Sequence, residues 1–341
     1  MMLYSRKQID KAGQTLLASK DIGEVDAATK LIDDWRLNHF PVLKMLEERL
    51  DELFKEEDVP FLFSSQRLKR MTSIQDKLDK KPDMRLGGLN DIGGQRYVFA
   101  DIESVYKAKQ LISTRPIEGF ELLPKQYDYI DFPAESGYRS IHLVFKCQHV
   151  DQRYDGLRVE LQLRTKLQHT WATAVESGEI ITGRALKNSQ GPTEWLDFFK
   201  LTSALFSIGE QCPILTEYKD YNGQSICASL KQIEERAKCI DLLKAFKAAL
   251  RSIESNDYAQ EYYILKVDYE KRVVNVSSFA VEEQEKASQY YNELERKIEN
   301  HKNAVILVSV GGLKELRDAY PSYFIDTTEF LERVESFLSL Y

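Results

Sequence analysis

The chain is short of several things that would each announce a class of protein. It has only four cysteines in 341 residues, Cys147, Cys212, Cys227 and Cys239, and no two of them form a C-x-x-C pair. A structural zinc site usually shows such a pair, so four reduced thiols are expected. There is no apolar run long enough to cross a bilayer. The first twenty residues, MMLYSRKQIDKAGQTLLASK, lack the apolar stretch and small-residue site of a secretory signal, so a cytoplasmic protein is expected. Internal repeats and low-complexity tracts are absent. The net charge of −7 leaves no excess of basic residues for a broad nucleic-acid surface, though it allows a local basic patch.

What remains is an ordinary globular composition, 43% hydrophobic and 30% charged, enough for a core of one large and one smaller domain. Residues 1–60 read as a helical region: Ala28, Leu31, Ile32 and Trp35, then Val42, Leu43, Met45, Leu46, Leu50, Leu53 and Phe54, recur at helical spacing. Short runs of strand character follow at Arg96–Ala100, Glu121–Leu123, Tyr138–Lys146 and Leu157–Arg164, with helical patterns at 103–113, 165–177 and 193–210. This order predicts an α+β (mixed α/β) domain over 61–215. A second, smaller α+β domain is expected over 225–341. Its reading is a helix at 228–254, strands at 261–269 and 272–280 joined through Glu270-Lys271, a charged helix at 281–301, a strand at 304–310, a turn at Gly311-Gly312 and a closing helix near 330–340.

Three motifs carry chemistry. Residues 67–85 hold seven basic residues against three acidic ones. Lys69, Ser73 and Lys77 are spaced i, i+4, i+8 and would share a face if one helix spanned them. Alternatively a helix starts near Thr72 or Ser73; either arrangement suits a polyphosphate, although a charge run by itself is commonly just a solvated face. Asp91 stands in Asn90-Asp91-Ile-Gly-Gly-Gln-Arg96, directly before a strand, as a hard oxygen ligand of the kind magnesium accepts, or as a plain turn aspartate. In Arg158-Val-Glu160-Leu-Gln162-Leu-Arg164, strand alternation puts Glu160, Gln162 and Arg164 on one face. The same rule would put Tyr138, Ser140 and His142 on a common face. Such a polar face is costly to bury without partners, which favours a ligand-binding surface over a merely solvent-facing strand.

Taken in order, these motifs resemble the synthetase domain of the RelA/SpoT family, which makes the alarmones ppGpp and pppGpp. The resemblance covers about residues 60–177. It rests on Arg67-Leu-Lys69 with Ser73-Ile74 and Lys77, Asp91 to Arg96, Asp128-Tyr-Ile130 with Pro133 and Gly137-Tyr-Arg-Ser-Ile-His142, and Val159-Glu160 to Thr165 with His169. It implies a nucleotidyltransferase-like fold, a mixed sheet flanked by helices, and transfer of the β,γ-diphosphate of ATP to a ribose 3′-hydroxyl, as in single-function small alarmone synthetases. By the same resemblance Asp91 and Glu160 would be catalytic and hold Mg2+. Arg67, Lys69, Ser73 and Lys77 would bind ATP, and Tyr138, His142 and Arg139 the acceptor, with Arg96, Gln162 and Arg164 in support.

Two departures bear on the acceptor. Members using GDP or GTP commonly carry lysines where this chain has Tyr127 and Ala134, leaving Lys125 and Arg139 as nearby cations. GDP or GTP is the first expectation; a toxin acting on the tRNA 3′ end, with a possible antitoxin, is the second; an inactive nucleotide sensor is the third. A homo-oligomer and no membrane partner are expected. None of the five histidines precedes an aspartate, so the family's hydrolase motif is missing and a synthetase-only enzyme is expected.

Overall fold

The computed structural model describes residues 4–69, 71–148, 152–255, 262–268, 273–295, 297, 303–309 and 327–340. Glu270-Lys271 and the Gly311-Gly312 turn lie outside these residues. The chain divides into two compact units, residues 1–129 with 140–166, and residues 130–139 with 167–341.

The first unit opens with three helices, α1 (Arg6–Ala18), α2 (Ile22–Leu37) and α3 (His39–Glu56). Ser5 and Gln8 form a capping box at the start of α1, and Asp21 caps α2 by accepting from the Glu24 amide. Val42, Leu43, Leu46, Leu50 and Phe54 are buried along one face of α3, as the periodicity predicts. Then follow β1 (Phe63–Leu68), α4 (Met71–Lys80), β2 (Gly93–Phe99), α5 (Ile102–Thr114), β3 (Phe120–Leu122), β4 (Tyr127–Asp128), β5 (Ile141–Cys147) and β6 (Arg158–Thr165). They form a six-stranded mixed sheet in the order β1-β2-β6-β5-β3, with β4 paired to β5. The β2–β6 pair is parallel and the other pairs are antiparallel.

Register sorts the side chains. Gly94 lies opposite both Arg67 and Glu160, Arg96 opposite Ser65 and Gln162, and His142 opposite Gln162 and Tyr127. Residues opposite one another project to the same side, so these polar groups share one face. The other face carries Gln95, Tyr97, Leu143, Phe145, Val159, Leu161 and Leu163, all buried. There α3 meets the sheet through Glu47, which accepts from Ser64 (2.6 Å), Gln66 (2.8 Å) and Gln95 (3.0 Å), while Tyr97 donates to Asp51 at 2.6 Å. Burying polar groups on this side is affordable because they are mutually bonded.

The second unit contains the 130–139 segment and α6 (Lys166–Thr182, almost all of it here), α7 (Thr193–Gly209), α8 (Gly223–Ala237), α9 (Cys239–Ser255), β7 (Tyr262–Asp268), β8 (Val273–Phe279), α10 (Gln284–Glu295), β9 (Asn303–Ser309) and α11 (Thr328–Leu340). Its three strands form an antiparallel sheet with β7 central. Trp171, Trp195, Phe198, Phe199, Phe206 and Phe330 build an aromatic core, with the Trp171 indole donating to the Phe199 carbonyl at 2.9 Å. The single helix expected at 228–254 is two helices. Lys238 takes a left-handed conformation (φ 54°), and the Glu234 carboxylate accepts from the Ile240 and Asp241 amides, starting α9 afresh.

Candidate active site

Asp91 sits in the turn before β2 and is 16% exposed. Its Oδ2 accepts from Lys69 Nζ at 2.9 Å and from Lys77 Nζ at 2.7 Å. The two lysines reach it from separate elements. The Lys69 amide donates to the Ile92 carbonyl, which extends the β1–β2 pairing by one residue, and α4 starts only at Met71. Of the two arrangements read from the sequence, a helix starting just before Ser73 is the one found: Ser73 and Lys77 lie on α4 and Lys69 at the strand exit, yet both lysines meet the same oxygen. Burial alone would raise the Asp91 pKa, but the two ammonium charges outweigh it and hold it down to about 2.

Glu160 projects from β6 beside Gly94. Along β6 a polar relay runs from Arg164, which donates to Gln162 Oε1 at 2.5 Å, to Gln162, which donates to Glu160 Oε1 at 2.7 Å. His142 Nδ1 lies 3.3 Å from Glu160 Oε2. Burial pushes the Glu160 pKa up, and the Asp91 charge adds to this, but His142 and the Gln162 bond prevail and keep the carboxyl below its usual range. The two carboxylates are therefore near enough to feel each other and are both ionised at neutral pH.

Arg67 lies across the bare backbone of Gly94: a Cβ there would stand 3.4 Å from Arg67 Cγ. Arg96 shares the Glu160 face between Ser65 and Gln162. Asp91 Oδ1 is buried with no hydrogen-bond partner in the protein. Among the described residues no group of three or more His, Cys, Asp or Glu gathers into a closed metal cage. Two ionised carboxylates with an open oxygen are a donor set suited to magnesium, which takes one or two carboxylates together with substrate phosphates.

One sequence expectation changes here. Tyr138, Ser140 and His142 do not share a strand face, because β5 begins at Ile141. Before it the chain turns through Gly137 (φ +90°), where a Cβ would stand 2.9 Å from Ser203 Cβ. Tyr138 belongs to the second unit, partly buried against the aromatic core. Arg139 is 4% exposed and donates to the Ile130 carbonyl and to Ser203 Oγ. These bonds tie the 130–139 segment to α7.

The sequence reading missed an aromatic ladder in the first unit. Tyr127, opposite His142, stacks on Tyr129 with centroids 5.6 Å apart and planes 4° from parallel. Tyr129 meets His142 edge-on at 5.2 Å, and Lys125 Nζ lies 5.4 Å from the Tyr127 ring centre. The i, i+2 spacing of two tyrosines beside a polar strand was the available signal.

A sequence profile described as a region found in RelA / SpoT proteins matches residues 66–178. The chain is 26% identical over 168 residues to the GTP pyrophosphokinase YwaC of Bacillus subtilis, covering 45% of this chain and 78% of that protein. It is 33% identical over 141 residues to the GTP pyrophosphokinase YjbM of the same organism, covering 40% of this chain and 65% of that protein. Among solved structures, small alarmone synthetase 1 of Bacillus subtilis bound to its product pppGpp aligns with a TM-score of 0.46 at 25% identity, over 53% of this chain and 94% of that one. Small alarmone synthetase 2 of Bacillus subtilis aligns with a TM-score of 0.45 at 22% identity, over 52% of this chain and 94% of that one. The stretch carrying Lys69, Lys77, Asp91, His142 and Glu160 is the stretch that this profile matches.

Proposed function

We propose that the chain is a pyrophosphokinase that moves the β,γ-diphosphate of ATP to the 3′-hydroxyl of GDP or GTP, giving (p)ppGpp, without a hydrolase activity. The observation that carries this reading is the pairing of a two-lysine clamp on Asp91 with an ionised Glu160 near enough for the two carboxylates to interact. The names of the relatives, GTP pyrophosphokinases, support it.

In this reading Lys69 and Lys77 exchange their bond to Asp91 for the triphosphate, Ser73 adds a hydroxyl, and Arg67 flanks the adenine. Asp91 and Glu160 hold magnesium, which when bound neutralises charge on the transferring diphosphate. Glu160, kept ionised by the Gln162–Arg164 relay and His142, accepts the hydrogen bond of the 3′-hydroxyl and orients it. The 3′-oxygen attacks the β-phosphorus, the bond from that phosphorus to the α–β bridging oxygen breaks, and AMP leaves with that oxygen. The hydroxyl proton passes through Glu160 to solvent. Positioning and charge stabilisation supply the acceleration, since the protein forms no covalent bond.

The Tyr127–Tyr129 stack favours a second reading, in which the acceptor is the 3′ end of tRNA and the protein acts as a translation-blocking toxin. Stacked rings offer a surface for bases where a lysine would hold a 5′-phosphate. An acceptor screen separates the two. With magnesium and γ-labelled ATP, label on GDP or GTP supports the first reading and label on tRNA alone the second. Label on neither would overturn both.

A further inference from the structure

The N-terminal helices touch the donor site at two points. The turn leading into Asp91 is the short 3-10 segment Leu86–Gly88. Asp10, on α1, accepts from the Gly87 amide through Oδ1 at 2.8 Å. The approach is close: a Cβ on Gly87 would stand 2.8 Å from Arg6 Cγ and 3.0 Å from Asp10 Oδ1. One on Gly13 would stand 2.8 Å from Leu86 Cβ and 3.5 Å from Leu78 Cδ1, on α4. So α1 lies against both the turn before Asp91 and the helix that carries Lys77.

The second point is Lys69. Arg36, on α2, donates through Nε to the Lys69 carbonyl at 2.9 Å, and its other end is held by Asp33. The Lys69 amide is meanwhile fixed on the Ile92 carbonyl at 2.8 Å. On the far side Arg158 donates to the Asn90 side chain at 3.1 Å, beside Asp91.

We propose that Asp10 and Arg36 are positioning residues of the donor site: Asp10 fixes the turn that presents Asp91, and Arg36 fixes the backbone that presents Lys69. Neither touches the reacting atoms. Each bonds to a main-chain group that determines where a reacting side chain stands, and displacing such a group by about 1 Å can cost on the order of a hundredfold in rate. Arg6–Leu37 is on this account part of the donor site. The inference rests on the pyrophosphokinase reading.

The test compares the full-length wild type with Asp10→Ala, Asp10→Asn and Arg36→Ala. Active sites are first counted by saturation with a non-hydrolysable ATP analogue, and transfer is expressed per analogue bound. Asp10→Ala and Arg36→Ala are expected to lower kcat per site by about ten- to a hundredfold with the acceptor KM unchanged. Asp10→Asn, which keeps an oxygen for the Gly87 amide, is expected to recover most of the loss. If the loss disappears once normalised to sites, or Asp10→Asn fares no better than Asp10→Ala, the positioning role is overturned and the residues merely hold the fold. A wild type that transfers nothing to any acceptor defeats the underlying reading and this inference with it; an active wild type with equally active variants defeats the inference alone.

Discussion

Removing the Asp91 charge should have opposite effects on ATP binding and on turnover. In the protein alone, Asp91 is the shared counter-ion of Lys69 and Lys77, and all three side chains are less than one third exposed. Asp91→Asn leaves two ammonium groups facing a neutral amide, a loss of about 1–3 kcal/mol of stability for a partly buried ion pair. The triphosphate faces the reverse situation. It has to displace a carboxylate from both lysines, and the same carboxylate repels it. One unit charge at about 6 Å, in an effective dielectric of about 20, is worth about 3 kcal/mol, which salt screening trims to about 1–2 kcal/mol. In EDTA the variant should therefore bind ATP roughly five- to thirtyfold more tightly than wild type by calorimetric titration. With magnesium present the advantage should vanish, because the carboxylate is then a ligand and no longer a repulsive charge. Transfer should fall at least about a hundredfold, as when a transition-state stabilising group is removed. Weaker ATP binding by the variant in EDTA would refute the view that Asp91 competes with the phosphates for Lys69 and Lys77.

Further outcomes follow from the same geometry. Glu160→Gln should abolish transfer while leaving ATP affinity within a few-fold of wild type; unchanged turnover would remove Glu160 from the chemistry. Adjacent glycines should fail differently. Gly93→Ala meets His39 Cβ and Val159 Cγ1, both at 3.1 Å, and should cost about 1–3 kcal/mol of stability by urea titration. Gly94→Val should instead displace Arg67 and weaken ATP binding with the fold intact. His39 is buried, its ring donating to the Trp35 carbonyl at 3.0 Å, and burial lowers its pKa to about 4. Its folded pKa lies below the unfolded value, so the unfolded chain takes the proton first. The stability is complete above pH ~6.5 and is lost as the pH falls from there towards 4, about 2 kcal/mol by pH 5. His39→Gln should remove that part of the slope in urea titrations at pH 7.5 and 5, and an unchanged slope would refute the assignment.

The strand carrying Glu160, Gln162 and Arg164 was legible because period-two alternation is a local rule, and the structure places all three on one face in a single relay. Lys69 and Lys77 were legible as candidate phosphate cations and Asp91 as a candidate magnesium ligand, but their meeting was not. It depends on β1 pairing with β2, and Phe63–Leu68 is too polar a run to read as a strand. Tyr138 and Arg139 were misplaced for a related reason: alternation was extended back through a segment that a positive-φ glycine and bonds to α7 draw into another unit. Asp10 and Arg36 left no trace in any motif, since what they hold is main chain, which every sequence has.

The central claim is that a diphosphate moves as a unit from ATP. The direct measurement uses ATP labelled at the β-phosphorus, magnesium and the acceptor found to accept label, with both products resolved. The account predicts that the β-phosphorus appears on the acceptor's 3′-oxygen and that AMP forms one for one with it. ADP as the coproduct, with the β-label remaining on it, would mean transfer of a single phosphoryl group and would contradict the account.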